Sequence, residues 1–377
     1  MEDVLREANN LSSKGEPFVI ATVIGTKGST PQKPGAKLLV RQDGSGVGTL
    51  GGGCVEGDIW FAAKMLLSEG GDSTVTDYML NEDIAAREGL VCGGTMYFLI
   101  DPIRDHSSFE SKVNKIVDAY DGGESVGQAT LLKTVDGKGK IGDKILLEKD
   151  GSYSGSLGDK NRDKEATTVL KNLMDYGRVE YLKTQDGAEI FLEGFTTPAS
   201  VVIAGGGHIS KSVAPLVTML GLRLYVIDDR PEFANAERFP EAEGVIVAEY
   251  HEGLKQIDIR PNTAVIVATR GHREDDLALE AAARTPAGYV GLVGSRRKTI
   301  LIYEELLKNG ITLDRIKSIH SPVGLDIGAK TPEEIAVSIM AEVVAFREGK
   351  PGKSLSLEDR YIRKIANKFS DSLVTSS

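Results

Sequence analysis

From Ala199 onward the sequence alternates short apolar runs with glycine-opened helical segments, and this alternation restricts the fold more than any other feature of the 377 residues. Ala199–Ala204 reads as a buried strand, Gly205-Gly206-Gly207-His208 opens a helix running to about Leu220, and Leu222–Ile227 is the next strand. Further strands near Val245–Ala248, Ala264–Thr269 and Tyr289–Val293 alternate with helices from about Arg273 and Ser295. Strands that are apolar along their whole length need a parallel sheet covered on both faces. The fold class is therefore α/β: a C-terminal Rossmann-like doubly wound parallel sheet, preceded by an α+β N-terminal domain. Thr196-Thr197-Pro198 reads as the linker. This divides the chain into 1–196, 197–349 and a polar tail, 350–377. Near its end, Thr331-Pro332-Glu333-Glu334 predicts a helix start with a Thr331 cap, proline in the first turn and a capping box through Glu334.

The N-terminal part centres on Gly51-Gly52-Gly53-Cys54-Val55-Glu56, where a thiol follows three glycines and precedes a helix. Three glycines cost more chain entropy than a simple turn requires, and their benefit is close backbone approach. Exposed amides at a helix start attract anions, and the same partial charge favours a thiolate. The alternative is a tight corner with Cys54 packed as a small hydrophobe. A second thiol, Cys92, precedes Gly93 and Gly94, and the two cysteines could face one pocket. The loop Gly25–Gly35 offers Lys27, Ser29, Thr30 and Lys33 as donors to a polar ligand, although a solvated turn would look similar.

Composition narrows the partners. Net charge is −10, which argues against nucleic acid or an anionic membrane surface. No apolar run reaches membrane-spanning length, and Met1-Glu2-Asp3 is unlike a targeting segment, so a cytoplasmic location is expected. With two cysteines and no CxxC, neither a disulfide scaffold nor a standard metal-ligand spacing is present.

In the second domain, Gly205-x-Gly207-x-x-Ser210 departs from the dinucleotide fingerprint only at its third glycine, where serine is small enough to substitute. The acidic pair Asp228-Asp229 ends the following strand and is placed to bond a ribose hydroxyl. His208, His272 and His320 each follow a predicted strand, at the edge where open parallel sheets bind ligands. With Asp275 they could form an acid–base or metal constellation. Ser295-Arg296-Arg297-Lys298 puts three cations at a helix start, which the helix dipole disfavours unless an anion sits there. A solvated first turn is the alternative.

Gly28-Ser-Thr-Pro31 with Gly35-Ala36, Gly48-Thr-Leu-Gly-Gly-Gly-Cys54-Val-Glu56, Cys92-Gly-Gly94, Gly205-Gly-Gly-His208, Thr269-Arg-Gly-His272, Gly291-Leu-Val-Gly-Ser-Arg-Arg-Lys298 and His320-Ser-Pro-Val-Gly-Leu-Asp-Ile-Gly328 together resemble the xanthine dehydrogenase accessory factors of the XdhC/CoxI family. The resemblance covers nearly the whole chain. Gln32 and Ser210 depart from it, standing where arginine and glycine are common. It implies an accessory chaperone rather than a turnover enzyme, one that binds molybdenum cofactor (molybdopterin), protects it during sulfuration and delivers it to a molybdenum hydroxylase. The implied partners are the hydroxylase apoenzyme and a cysteine desulfurase-type sulfur donor, with a homodimer as a further expectation. Cys54, and then Cys92, would hold the metal or a sulfur atom. Gly51–Gly53, Glu56, Gly93 and Gly94 would line the cofactor site. Gly205, Gly207, His208, Asp228, Ser295, Arg296, Lys298 and His320 would take a phosphate, nucleotide or NAD(P). Two other classes remain open: an NAD(P)-dependent oxidoreductase with His272 and Asp275 in acid–base roles, and a nucleotide-binding sensor without catalysis.

Overall fold

The structure, a computed structural model, describes residues 1–79 and 94–374, apart from the side chains of Cys54, His272, Arg273 and 368–374. Two compact units form, Met1–Ser200 with Arg260–Thr263, and Val201–Ile259 with Ala264–Ser377.

In the first unit, α1 (Glu2–Lys14) buries Val4, Leu5, Ala8 and Leu11 along one stripe and stops at Gly15, whose φ of 68° favours glycine. Among the described residues, two antiparallel sheets follow. The first takes β1 (Phe18–Lys27), β2 (Lys37–Arg41), β3 (Gly46–Gly48), β4 (Thr74–Met79) and β5 (Thr95–Ile103) in the order β3-β2-β1-β5-β4. Its outer face carries Val19, Ala21, Val23, Leu38 and Val40, packed on Val55, Ile59 and Ala63 of α2 (Gly53–Glu69). Helix α3 (His106–Tyr120), capped by Asp105, leads to the second sheet. That sheet holds β6 (Val126–Lys133), β7 (Lys144–Leu147), β8 (Tyr153–Gly155), β9 (Val179–Lys183) and β10 (Glu189–Phe195), ordered β8-β7-β6-β10-β9. It packs one face on α4 (Lys160–Leu173) through Ala166, Leu170, Ile190 and Leu192.

The second unit is the doubly wound sheet expected from the sequence. Strands β11 (Ser200–Ala204), β12 (Arg223–Asp228), β13 (Gly244–Val247), β14 (Ala264–Val267), β15 (Tyr289–Leu292) and β16 (Ile319–His320) lie in the order β13-β12-β11-β14-β15-β16. The chain reverses direction across the sheet between β11 and β14, which pair in parallel from Val201↔Ala264 to Ala204↔Val267. Open α/β sheets bind ligands at such a crevice, beyond the carboxyl ends of the strands. The covering helices are α5 (His208–Met219), α6 (Tyr250–Leu254), α7 (His272–Ala283), α8 (Arg296–Lys308), α9 (Leu313–Lys317) and α10 (Pro332–Arg347). Helix α10 starts with the predicted Thr331–Glu334 capping box. A final helix, α11 (Asp359–Val374), occupies the polar tail. Among the described residues no helix is long and apolar enough to cross a membrane.

Candidate functional site

Gly51, Gly52 and Gly53 have φ of 111°, 75° and 69°, three successive residues in the region that side chains with a Cβ avoid. The run therefore requires glycine for backbone shape as well as for space. A Cβ on Gly51 would lie 2.7 Å from Pro31, and one on Gly94 would lie 2.3 Å from the Ser29 carbonyl oxygen. The Ser29–Pro31 segment is thus gripped between two glycines from distant parts of the chain, so three of the sequence motifs meet at one place. Gly52 has nothing within 4 Å of a Cβ and borders open space. The backbone of Cys54 lies in the first turn of α2. Cys92 and Gly93 lie outside the described residues, as does the expectation that both thiols face one pocket.

The amides before the helix do not all face a ligand. Glu56 Oε2 accepts hydrogen bonds from the amides of Leu50 (2.8 Å) and Gly52 (3.2 Å) and from the Thr49 hydroxyl (2.7 Å). Burial pushes this carboxyl's pKa up, but the three donors outweigh it and hold it below the usual range. Glu56 is therefore a brace of the loop. Next to it, Gly53, Glu56, Gly57, Trp60, Phe61 and Lys64 line a shallow depression of about 420 Å³, with Phe61 exposed.

At the carboxyl end of β11 each fingerprint position has a definite role. Gly205, with φ 110°, makes the turn, and a Cβ there would meet the Ala268 carbonyl oxygen at 2.3 Å. Gly207 has open space where a Cβ would stand, leaving room for a ligand at the start of α5. Buried Ser210, in place of the third glycine, donates its hydroxyl to the Gly205 carbonyl and ties helix to turn. His208 is exposed.

Asp228 does something other than expected. It is fully buried, and both oxygens are bonded: Oδ2 accepts from the Gly206 amide (2.8 Å) and Arg230 Nη2 (3.0 Å), Oδ1 from Arg230 Nε (2.8 Å) and amide (3.1 Å). Burial raises its pKa, and the bonds from Arg230 and Gly206 together lower it below the ordinary value. Asp228 latches the turn and has no oxygen left for a ribose. Its neighbour Asp229 has Oδ2 on Arg270 at 2.9 Å, while buried Oδ1 lies 3.8 Å from Arg230 Nε and has no hydrogen-bond partner among the described residues. An orphaned acceptor at a strand end is what a ribose hydroxyl needs. Arg230 and Arg238, which the sequence reading did not single out, brace the same turn. Arg230 lies 3.7 Å above the Phe233 ring, and Arg238 Nε donates to the Gly206 carbonyl at 2.7 Å.

Asp275 and His320 each have their own partners. Asp275, 1% exposed, accepts from the Thr269 hydroxyl and pairs with Lys298. Lys298 therefore serves an internal carboxylate, while Arg296 and Arg297 beside the Ser295 cap are exposed. His320 stacks on Tyr289 at 4.4 Å and places Nδ1 3.1 Å from Glu342, which also accepts from Tyr289 Oη (2.6 Å) and the Gly324 amide (2.8 Å). Glu342, an unforeseen partner, sits in α10, 22 residues beyond the histidine it orients. His272 begins α7, with its side chain outside the described residues. Among the described residues no group of three or more His, Cys, Asp or Glu is placed to hold a metal ion.

Residues 201–343 match the XdhC Rossmann domain, and residues 11–78 match the XdhC and CoxI family. The chain is 26% identical over 351 residues to YqeB of Escherichia coli, a match spanning 93% of this chain and 47%, about half, of YqeB. It is 26% identical to a probable xanthine dehydrogenase subunit of Bacillus subtilis, covering 88% of this chain and 94% of that protein. The molybdenum cofactor insertion chaperone PaoD of Escherichia coli is 22% identical, over 91% of this chain and 88% of PaoD. The crystal structure of a xanthine dehydrogenase from Bacillus halodurans superposes with a TM-score of 0.61 at 25% identity, covering 93% of this chain and 98% of that one.

Proposed function

This chain belongs to the XdhC and CoxI family, and from that premise we propose that it is an accessory chaperone of a molybdenum hydroxylase such as xanthine dehydrogenase. It binds molybdenum cofactor, shields it during sulfuration and hands it to the apoenzyme. Similarity to PaoD supports the cofactor, and similarity to a probable xanthine dehydrogenase component supports the client class. The observation that carries the reading is the left-handed Gly51–Gly53 run, which fixes the Cys54 backbone at a helix start beside the Ser29–Pro31 segment.

The residues fit such a ligand. Open backbone at Gly52 allows close approach, and a Cys54 thiolate is the soft donor suited to molybdenum or to a transferable sulfur atom. In the second unit, the space at Gly207 and the Asp229 Oδ1, which takes no hydrogen bond among the described residues, suit a nucleotide, whether NAD(P) or a nucleotide-bearing form of the cofactor. The bound cofactor would supply an oxo- and sulfido-bearing metal; the chain's own part is to hold it and exclude water.

An NAD(P)-dependent oxidoreductase would use the same turn. Its candidate partner for His272, however, is the Asp275 carboxylate, and that group is engaged by Lys298 and Thr269. The deciding experiment is anaerobic reconstitution of apo xanthine dehydrogenase with molybdenum cofactor and a cysteine desulfurase, with and without this chain, alongside an NADH turnover assay. A several-fold rise in reconstituted activity without NADH turnover supports the chaperone. No rise, with NADH consumed, supports the oxidoreductase.

A further inference from the structure

Tyr250 opens α6 just past the carboxyl end of β13, and its buried hydroxyl has no hydrogen-bond partner among the described residues. The side chain is 2% exposed and belongs to the same core cluster as Ile227 and Leu254. Phenylalanine would serve that packing without burying an unpaired hydroxyl, so packing does not account for the oxygen. Strand register sets the residue beside the nucleotide turn. Val247 of β13 pairs with Asp228 of β12, and the Ala248 amide donates to the Asp228 carbonyl at 3.2 Å. The next residue, Asp229, carries a second unpaired atom, the buried Oδ1, which lies 3.8 Å from Arg230 Nε and takes no hydrogen bond among the described residues.

The two unpaired atoms are complementary. Burial, with the negative charges of Asp228, Asp229 and Glu274, holds the Tyr250 phenol well above its usual pKa, so it keeps a proton to donate. The Asp229 carboxylate only accepts. A hydroxyl satisfies both with one atom, accepting from the phenol and donating to the carboxylate. A phosphate monoester, mostly dianionic at neutral pH, has no proton to give Asp229 and meets its like charge. The neighbouring arginines are already bonded, Arg230 to both oxygens of Asp228 and Arg270 to Asp229 Oδ2. Arg270 comes from the loop beyond β14, and β11, whose turn leaves open space at Gly207, lies between β14 and β12 in the sheet.

We propose that Tyr250 and Asp229 together hold one free hydroxyl of a nucleotide ribose, Tyr250 donating and Asp229 Oδ1 accepting, so that the second unit takes NAD(H) in preference to its 2′-phosphorylated counterpart. This rests on the nucleotide reading above and adds to it Tyr250 and the choice of ribose. Fluorescence titration of the full chain with NADH and with NADPH, wild type beside Tyr250→Phe, tests it, together with melting curves of the ligand-free proteins. Wild type binds NADH at least tenfold more tightly than NADPH. Tyr250→Phe melts no lower than wild type, since no internal hydrogen bond is lost, yet binds NADH about fivefold more weakly, the loss of one hydrogen bond, and leaves NADPH affinity unchanged. Unchanged NADH affinity in Tyr250→Phe, whatever its melting temperature, overturns the proposal, and so does equal affinity of wild type for the two dinucleotides; in both cases the nucleotide reading stands. If neither dinucleotide binds wild type, the NAD(P) reading fails and the proposal with it.

Discussion

Glu56 and Gly52 hold each other across the start of α2, the carboxylate Oε2 lying 3.2 Å from the amide nitrogen four residues before it. The charge sits at the positive end of the helix dipole and also takes the Leu50 amide, so one side chain shapes the loop that precedes Cys54. Because its folded pKa is depressed, Glu56 adds stability above its unfolded pKa, about 4.3, and loses it as pH falls through the lower folded value. Glu56→Gln should melt below wild type at pH 7, with the gap closing as pH is lowered from about 5 to 3. A constant gap across that range would show that the charge has no part in it.

Alanine at the glycine run should separate backbone strain from crowding. Gly52→Ala meets open space at φ 75°, so its cost is conformational, roughly 1–2 kcal/mol. Gly51→Ala adds an overlap with Pro31 at 2.7 Å and should cost more. Denaturant unfolding of the two variants gives the order.

The adjacent acids Asp228 and Asp229 should part company under mutation. Asp228→Ala leaves Arg230 and the Gly206 amide without their buried partner and should destabilise by roughly 3–5 kcal/mol. Asp229→Ala removes a partly exposed pair with Arg270 and a longer one with Arg230, together worth about 1 kcal/mol or less. Fluorescence titration with NADH should show Asp229→Ala weakening nucleotide binding by about tenfold, the loss of one hydrogen bond. Unchanged affinity would remove Asp229 from the site.

Lys298 and Asp275 should behave as a couple. Lys298→Met leaves a carboxylate that is 1% exposed without its cation and should cost several kcal/mol, on the order of 3–5. Adding Asp275→Asn should recover much of that loss. Additive losses in a double-mutant cycle would contradict the pairing.

Much of the second unit was legible because local signals agreed. Uninterrupted apolar strands required a parallel sheet, the spacing of Gly205, Gly207 and Ser210 announced a phosphate-type turn, and Thr331 with Glu334 announced a helix start. The site was less legible where the partner was distant or the phase was fine. Asp228 and Asp229 are neighbours, and successive side chains at a strand end point opposite ways, so composition could not tell the latch from the acceptor without a hydrogen bond. Lys298 looked like a ligand cation because Asp275 lies on another helix, and Lys37 gave no sign of its partner Glu193, 156 positions away. Glu56 looked like a ligand contact because a carboxylate bracing its own loop leaves the same sequence signature.

The most direct measurement of the central claim is retention of cofactor by the Cys54 loop. Purified chain is mixed anaerobically with molybdenum cofactor, passed over gel filtration, and assayed for molybdenum and pterin, wild type beside Cys54→Ala. Near-stoichiometric retention by wild type and loss of most of it in the folded variant are expected. Equal retention by both proteins, or none by wild type, would contradict it.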